Sequence, residues 1–175
     1  MLPRDVFWSA APEWLAQAKP TSDGGNSLLL SFIQEIDMCI DKTLSRLKDG
    51  YQIDAFLWHQ GESDYAKSKD YYRNLKTMVA YVRMHLTEKT GKDYSRLPFI
   101  FGTVARSNKY FSREVENAMK QLAAEDPNMH LIDMSGAELL NDRLHLRLIR
   151  QSIWDNRYIS SWNKLLKELV VRNLK

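Results

Sequence analysis

Three short apolar runs, "IDAFLWH" (53–59), "RLPFIFGTV" (96–104) and "MHLIDM" (129–134), are separated by stretches whose apolar residues recur at helical spacing. A strand that is apolar at successive positions is buried on both faces, which is the habit of parallel sheets covered by helices. Alternation of such runs with amphipathic helices is the pattern of βαβ crossovers. The whole chain reads α-β-α-β-α-β-α. This predicts an α/β fold with a parallel sheet between helices on both faces.

The helical stretches carry their own boundary signals. Leu29, Phe32, Ile33, Ile36, Ile40, Leu44 and Leu47 form one stripe over 27–47, with Asn26 as the expected cap and Gly50 just past the end. A second stripe, Tyr72, Leu75, Val79, Val82 and Leu86, is expected to start from a Ser68 cap and stop at Gly91. Ser112 opens a third helix through Val115, Met119 and Leu122, and the tail from about Ile149 is helical again. Pro98 stands at the entry of the second strand, where a missing backbone donor is tolerated.

With 175 residues, 44% of them hydrophobic, the chain suits one domain over 1–175 with a sizeable core. The net charge of +3 comes from 25 basic and 22 acidic residues spread along the chain. No basic stripe exists for a phosphate backbone, so nucleic acid is not an expected partner. Nor is a membrane, because no apolar stretch approaches the roughly 20 residues of a spanning helix. The opening "MLPRDVFWSAAPEWL" lacks a signal peptide's charged-then-apolar order, so the chain as written is expected in the cytoplasm. An upstream segment bearing such a signal would change that to a secreted or periplasmic location. Cys39 has no cysteine to pair with and, among apolar neighbours, is expected as a small buried hydrophobe.

In open parallel sheets, ligands bind beyond the carboxyl ends of the strands. Three polar loops converge there: "HQGESD" (59–64), "TVARSNKY" (103–110) and "SGAELLNDRLH" (135–145). "WHQGESD" at 58–64, followed about 80 positions later by "DRLH" at 142–145, resembles the third and fifth blocks of the SGNH-type carbohydrate esterases, in their sialate O-acetylesterase and acetylxylan esterase branch. The resemblance implies a three-layer, flavodoxin-like SGNH-hydrolase fold. It also implies serine-type removal of acetyl groups from sugar hydroxyls, an acetylated carbohydrate as partner, and no metal or organic cofactor.

Ester hydrolysis by a serine needs an imidazole base, a carboxylate to hold its tautomer, and donors for the oxyanion. Asp142 and His145 stand three apart, close enough for the carboxylate to orient the ring. By the resemblance, His145 is the base, Asp142 its orienter and the Gln60 amide an oxyanion donor. The pair Gly24 and Gly25 matches the second block, with the Gly25 N–H as a further oxyanion donor. Gly61 allows a sharp turn after Gln60, and Glu62 and Asp64 are expected to hold the loop by accepting from backbone amides.

The nucleophile is unassigned. In the family it lies in a Gly-Gln-Ser-Asn-like turn after a first strand, and no such string occurs here. Ser9, Ser27 and Ser63 lack the strand, glycine turn and helix that expose a nucleophile. Relative to the family, the chain is expected to be N-terminally incomplete and to lack the first strand. After His145, "LRLIRQSIWDNRYISSWNKLL" has no glycine, whereas the family continues into a helix with small residues.

Other residues have plainer expectations. His59 alternates away from Gln60 and reads as packed. His85 and His130 read as surface or satisfied residues. Tyr65, Tyr71 and Tyr72 read as core. Trp8 and Trp14 read as exposed, their packing partner being the absent strand. Two alternatives stand beside the esterase reading. One is a metal-dependent hydrolase using Glu62, Asp64, Asp142 and His145. The other is a truncated or degenerate esterase domain that keeps a carbohydrate groove without a nucleophile.

Overall fold

The computed structural model describes residues 7–145. Its elements run α1 (Pro12–Leu15), α2 (Leu28–Lys42), β1 (Phe56–Trp58), α3 (Tyr71–Thr90), β2 (Phe99–Gly102), α4 (Arg113–Glu125) and β3 (Met129–Ile132). The strands form a sheet in the order β1-β2-β3, all parallel, with Phe56 opposite Phe99 and Phe99 opposite Met129. This is the α/β architecture with a parallel sheet that the alternation predicts, with α2, α3 and α4 packed on one face among the described residues. The tail helix expected from about Ile149 lies outside the described residues.

Helix boundaries follow local chemistry, not always at the expected residue. Ser112 caps α4 by accepting from the Val115 amide, and Gly91 ends α3 in the left-handed conformation at φ 71°. On α2 the cap is Ser27, whose Oγ accepts from the Leu30 amide at 3.1 Å. Asn26 instead accepts the Phe7 amide on its backbone carbonyl at 3.0 Å. Helix α2 stops at Lys42, and Leu44–Arg46 form a separate 3₁₀ turn. Ser68 is not the cap of α3. A 3₁₀ segment, Glu62–Asp70, comes first, and α3 opens at Tyr71 after Asp70.

One face of the sheet carries the main core. Trp58, Phe99 and Phe101 from the strands meet Leu29 and Ile33 of α2, Leu75 and Val82 of α3, and Val115 and Met119 of α4. The other face presents Ile100 and Ile132 to Ala105, Met134 and Ala137 of the loops beyond the strands. On α3 the buried stripe runs through Tyr71 rather than Tyr72, which is half-buried. Cys39, expected inside, is exposed. It falls one step off the line of Ile33 and Ile40, the buried residues beside it on α2.

The two tryptophans near the start are not bare. Trp8 lies edge-on to Trp58 at 4.9 Å between ring centroids, and Trp14 packs on Phe7 at 4.7 Å. Each such aromatic pair contributes about 0.5–1.5 kcal/mol beyond its buried area. His85 also has partners: its Nε2 lies 2.8 Å from Asp37 Oδ1, joining α3 to α2, and its ring stacks with Tyr81.

Candidate active site

The loop after β1 is held from both sides. At Gly61 the backbone turns at φ 158°, and an added Cβ would stand 3.0 Å from Val104 Cγ2 and 3.1 Å from Met119 Cε and Val115 Cγ1. Only glycine lets the loop lie this close to β2 and α4. Just before it, the Gln60 carbonyl accepts from the Tyr71 hydroxyl at 2.9 Å, and the Gln60 side-chain amide donates to Asp64 Oδ2. Asp64 therefore takes a side-chain donor rather than the backbone amides expected of it. One N–H of the Gln60 amide goes to that carboxylate, which leaves its second N–H for another acceptor.

Burial shapes the titration of this loop. The Asp64 carboxyl is raised above its ordinary value by desolvation, with the Gln60 hydrogen bond pulling the other way. Tyr71, 2% exposed, is raised by burial well beyond the usual phenol range, so it stays a hydroxyl donor. His59 is lowered by burial, against the pull of Glu62 and a hydrogen bond with the Thr103 backbone.

The loop after β3 carries the imidazole. His145 Nδ1 lies 2.6 Å from Asp142 Oδ2, while Asp142 Oδ1 accepts the amides of Leu144 at 2.9 Å and His145 at 3.1 Å. These bonds hold the Asp142 carboxyl down at about 2, the His145 contact being the largest cause. With Nδ1 engaged by the carboxylate, Nε2 is the ring nitrogen left to act as a base. The His145 side chain is 69% exposed. Next to the pair, Arg143 adopts a left-handed φ of 54°, unusual for a non-glycine residue.

The middle loop ties the other two together. Asn108, 5% exposed, donates from Nδ2 to the Leu144 carbonyl at 3.1 Å and accepts the Tyr110 amide at 2.9 Å. Lys109 N donates to the Arg143 carbonyl at 3.1 Å. Tyr110 faces Tyr65 of the first loop at 5.0 Å between ring centroids. Asn108 was not singled out from the sequence. Its signal there was only that asparagine bonds its own backbone in turns.

Beside Gln60 opens a cavity of about 370 Å³. Its walls include Phe7, Trp8, Trp14 and Trp58, and Ser9 and Ser63 also line it. Ser9 is 1% exposed and accepts the Ala11 amide at 3.1 Å. Ser27 is spent on capping α2. Among the described residues none of the three is hydrogen-bonded to His145.

The glycine pair sits differently from the expectation. Gly24 N donates to the Thr21 carbonyl at 3.1 Å and Gly25 N to the Pro20 carbonyl at 3.0 Å, closing a turn. A Cβ on Gly25 would fall 2.3 Å from the Lys19 oxygen. The Gly25 amide is thus occupied within its own loop and is not presented as an oxyanion donor. As for the metal alternative, no group of three or more His, Cys, Asp or Glu converges among the described residues. No described helix is long and apolar enough to cross a membrane.

Comparison with known proteins decides the family. The family described as carbohydrate esterase, sialic acid-specific acetylesterase, matches residues 19–162. The chain belongs to this carbohydrate esterase family. The parallel α/β sheet agrees with this membership. Among solved structures, the chain is similar to an Arabidopsis thaliana protein determined by X-ray crystallography, at 28% identity and a TM-score of 0.50. The match covers 65% of this chain and 44% of that one, so the chain spans under half the length of the protein it resembles. No curated protein matches.

Proposed function

We propose that the chain carries the base and oxyanion side of a serine-type carbohydrate O-acetylesterase acting on acetylated sugars of the sialate or xylan kind. The observation that carries this reading is the 2.6 Å contact between His145 Nδ1 and Asp142 Oδ2. In the reaction, His145 Nε2 takes the proton of an attacking serine hydroxyl and returns it to the departing sugar oxygen. Asp142 holds the ring in the tautomer that leaves Nε2 basic, and the second Gln60 N–H meets the developing oxyanion.

A second reading is favoured by one observation: among the described residues His145 is hydrogen-bonded to Asp142 and to no serine. On that reading the domain binds an acetylated sugar without turning it over. Intact mass after treatment with a fluorophosphonate, which labels activated serines, separates the two. One stoichiometric adduct on the folded chain places a nucleophile within these residues. No adduct and no hydrolysis of an aryl acetate leave the binding reading. Equal turnover by wild type and His145→Ala would sink the site assignment altogether.

A further inference from the structure

Asn108 is a buried polar side chain that the reaction itself does not use. Its amide is engaged at both ends, with Nδ2 donating to the Leu144 carbonyl at 3.1 Å and Oδ1 accepting the Tyr110 amide at 2.9 Å. These partners fix its orientation, because a carbonyl is met only by the N–H end and a backbone amide only by the oxygen. The two ends lead to opposite halves of the site. Leu144 precedes His145, and Asp142 Oδ1 takes the amides of both. Tyr110 packs on Tyr65, the residue after Asp64, which accepts from the Gln60 side chain. Asn108 is itself pinned: its N–H donates to the Ala105 carbonyl at 2.9 Å and its carbonyl accepts the Phe111 amide at 3.0 Å. Two residues earlier, Arg106 donates its N–H to the Ser135 carbonyl at 3.0 Å and its Nη2 to Oε1 of the buried Glu116 at 2.9 Å.

We infer that Asn108 is a positioning residue of the hydrolytic site: through the Leu144 carbonyl it holds the Asp142–His145 turn in the geometry that keeps Nδ1 on the carboxylate, and through Tyr110 it sets that turn against the Gln60 loop. The inference rests on the esterase reading of His145 and deepens it. The turn needs such a hold. Arg143, at a left-handed φ of 54°, is in a conformation that persists where the surroundings over-determine it. Those surroundings are the middle loop, where Lys109 N meets the Arg143 carbonyl at 3.1 Å and Asn108 Nδ2 meets the next carbonyl along. The other side-chain link between the two loops is weaker, since the exposed Arg143 guanidinium stands 3.4 Å from the Ser107 carbonyl. Without the Asn108 amide the turn loses its buried side-chain link, and the Leu144 carbonyl loses its side-chain donor. The imidazole, 69% exposed and held by one carboxylate, is then free to leave the tautomer that keeps Nε2 basic.

The His145 ring reports this without turnover. Long-range proton–nitrogen NMR spectra of the nitrogen-15-labelled full chain, at a pH where imidazoles are neutral, separate a protonated Nδ1 from a protonated Nε2. His145→Ala identifies its signals among the four histidines. The wild type is expected to show the Nδ1–H form. Asn108→Ala should shift His145 to a mixture of tautomers with circular dichroism unchanged. Asn108→Asp, which keeps an acceptor for Tyr110 but turns an oxygen toward the Leu144 carbonyl, should do the same. Arg83→Met is the control: it removes bonds to the Leu97 carbonyl and Asp126, which precede β2 and β3 at the opposite end of the sheet, and should leave the ring signals as they are. Unchanged ring signals in both folded Asn108 variants, or an equal change in Arg83→Met, would overturn the inference. Loss of folding in both Asn108 variants would overturn it too, by making the bond structural. If the wild type hydrolyses an aryl acetate, Asn108→Ala should lower kcat about 10²-fold with KM little changed, the cost of a misplaced group. If the wild type releases no acetate, the esterase reading of this chain fails, and the tautomer shift still decides whether Asn108 holds the His145 turn.

Discussion

Asp142 holds its own turn and the His145 ring with the same carboxylate: Oδ1 takes two backbone amides and Oδ2 takes Nδ1 at 2.6 Å. An asparagine there would keep an oxygen for the amides but would lose the charge that fixes the tautomer. Asp142→Asn is therefore expected to lower kcat on an aryl acetate by about 10³–10⁴-fold, as loss of the orienting carboxylate does in serine hydrolases. Melting temperature should hardly move, since both side chains are largely exposed. A kcat within tenfold of wild type would remove Asp142 from the mechanism.

The depressed Asp142 carboxyl has a pH consequence. A folded value below the ordinary one contributes stability above the unfolded value, and this is lost as pH falls from about 4 through about 2. Asp142 thus stays ionised across the acid limb of any activity profile above pH 4. That limb should follow a single ionisation, and Asp142→Asn should lower its plateau. A second ionisation near pH 4 in the wild-type profile would contradict this.

Asp64 has the opposite sign. Burial raises its carboxyl, so its contribution to stability is fully present below the unfolded value and falls as pH rises through the folded value. Asp64→Asn keeps an oxygen for the Gln60 amide and removes the buried charge. The variant should match or exceed wild-type stability at pH 7, with its advantage shrinking toward pH 4. Urea unfolding at both pH values measures the gap, and an advantage that grows on acidification would reverse the assignment.

Gly61→Ala forces a methyl to 3.0–3.1 Å from Val104, Val115 and Met119. Overpacking of this kind costs about 1–3 kcal/mol. Denaturant unfolding should show that loss, together with reduced turnover, because the displaced loop carries Gln60. A fully stable variant would mean that the loop can yield.

Tyr71→Phe removes the hydroxyl that donates to the Gln60 carbonyl. The expected loss is about 1 kcal/mol of stability for one hydrogen bond. If the bond positions Gln60, kcat should fall while KM changes little, and Tyr71→Leu should not be rescued by added stabilisers. An unchanged kcat would make Tyr71 structural alone.

Much of this was legible from residue order, for identifiable reasons. Ser112 and Gly91 bound their helices because a hydroxyl acceptor and a left-handed glycine answer needs of the adjacent backbone. Strand β2 was visible because burial on both faces leaves a continuous apolar run, whereas β1 is apolar in sequence although Leu57 is exposed. What stayed hidden depended on the neighbours of a segment. The 3₁₀ stretch Glu62–Asp70 has no amphipathic stripe, so its length and the shift of the α3 start to Tyr71 were not readable. Cys39 turned outward by a single step of the helix. Asp64 meets the Gln60 side chain, and the Gly25 amide meets Pro20, through turns whose closure no local pattern announces. Asn108 joins loops 36 residues apart, a distance over which sequence spacing carries no geometry.

The run from the Tyr71 hydroxyl to the Gln60 carbonyl means that one wall of the site is cut from the core, since Tyr71 and Trp58 are both buried. Directed evolution toward a new sugar would therefore meet a trade-off at these positions, where any gain in fit draws on foldedness. Ser63, Lys67 and Asp70, which also line the cavity beside Gln60 and are exposed, form the natural library.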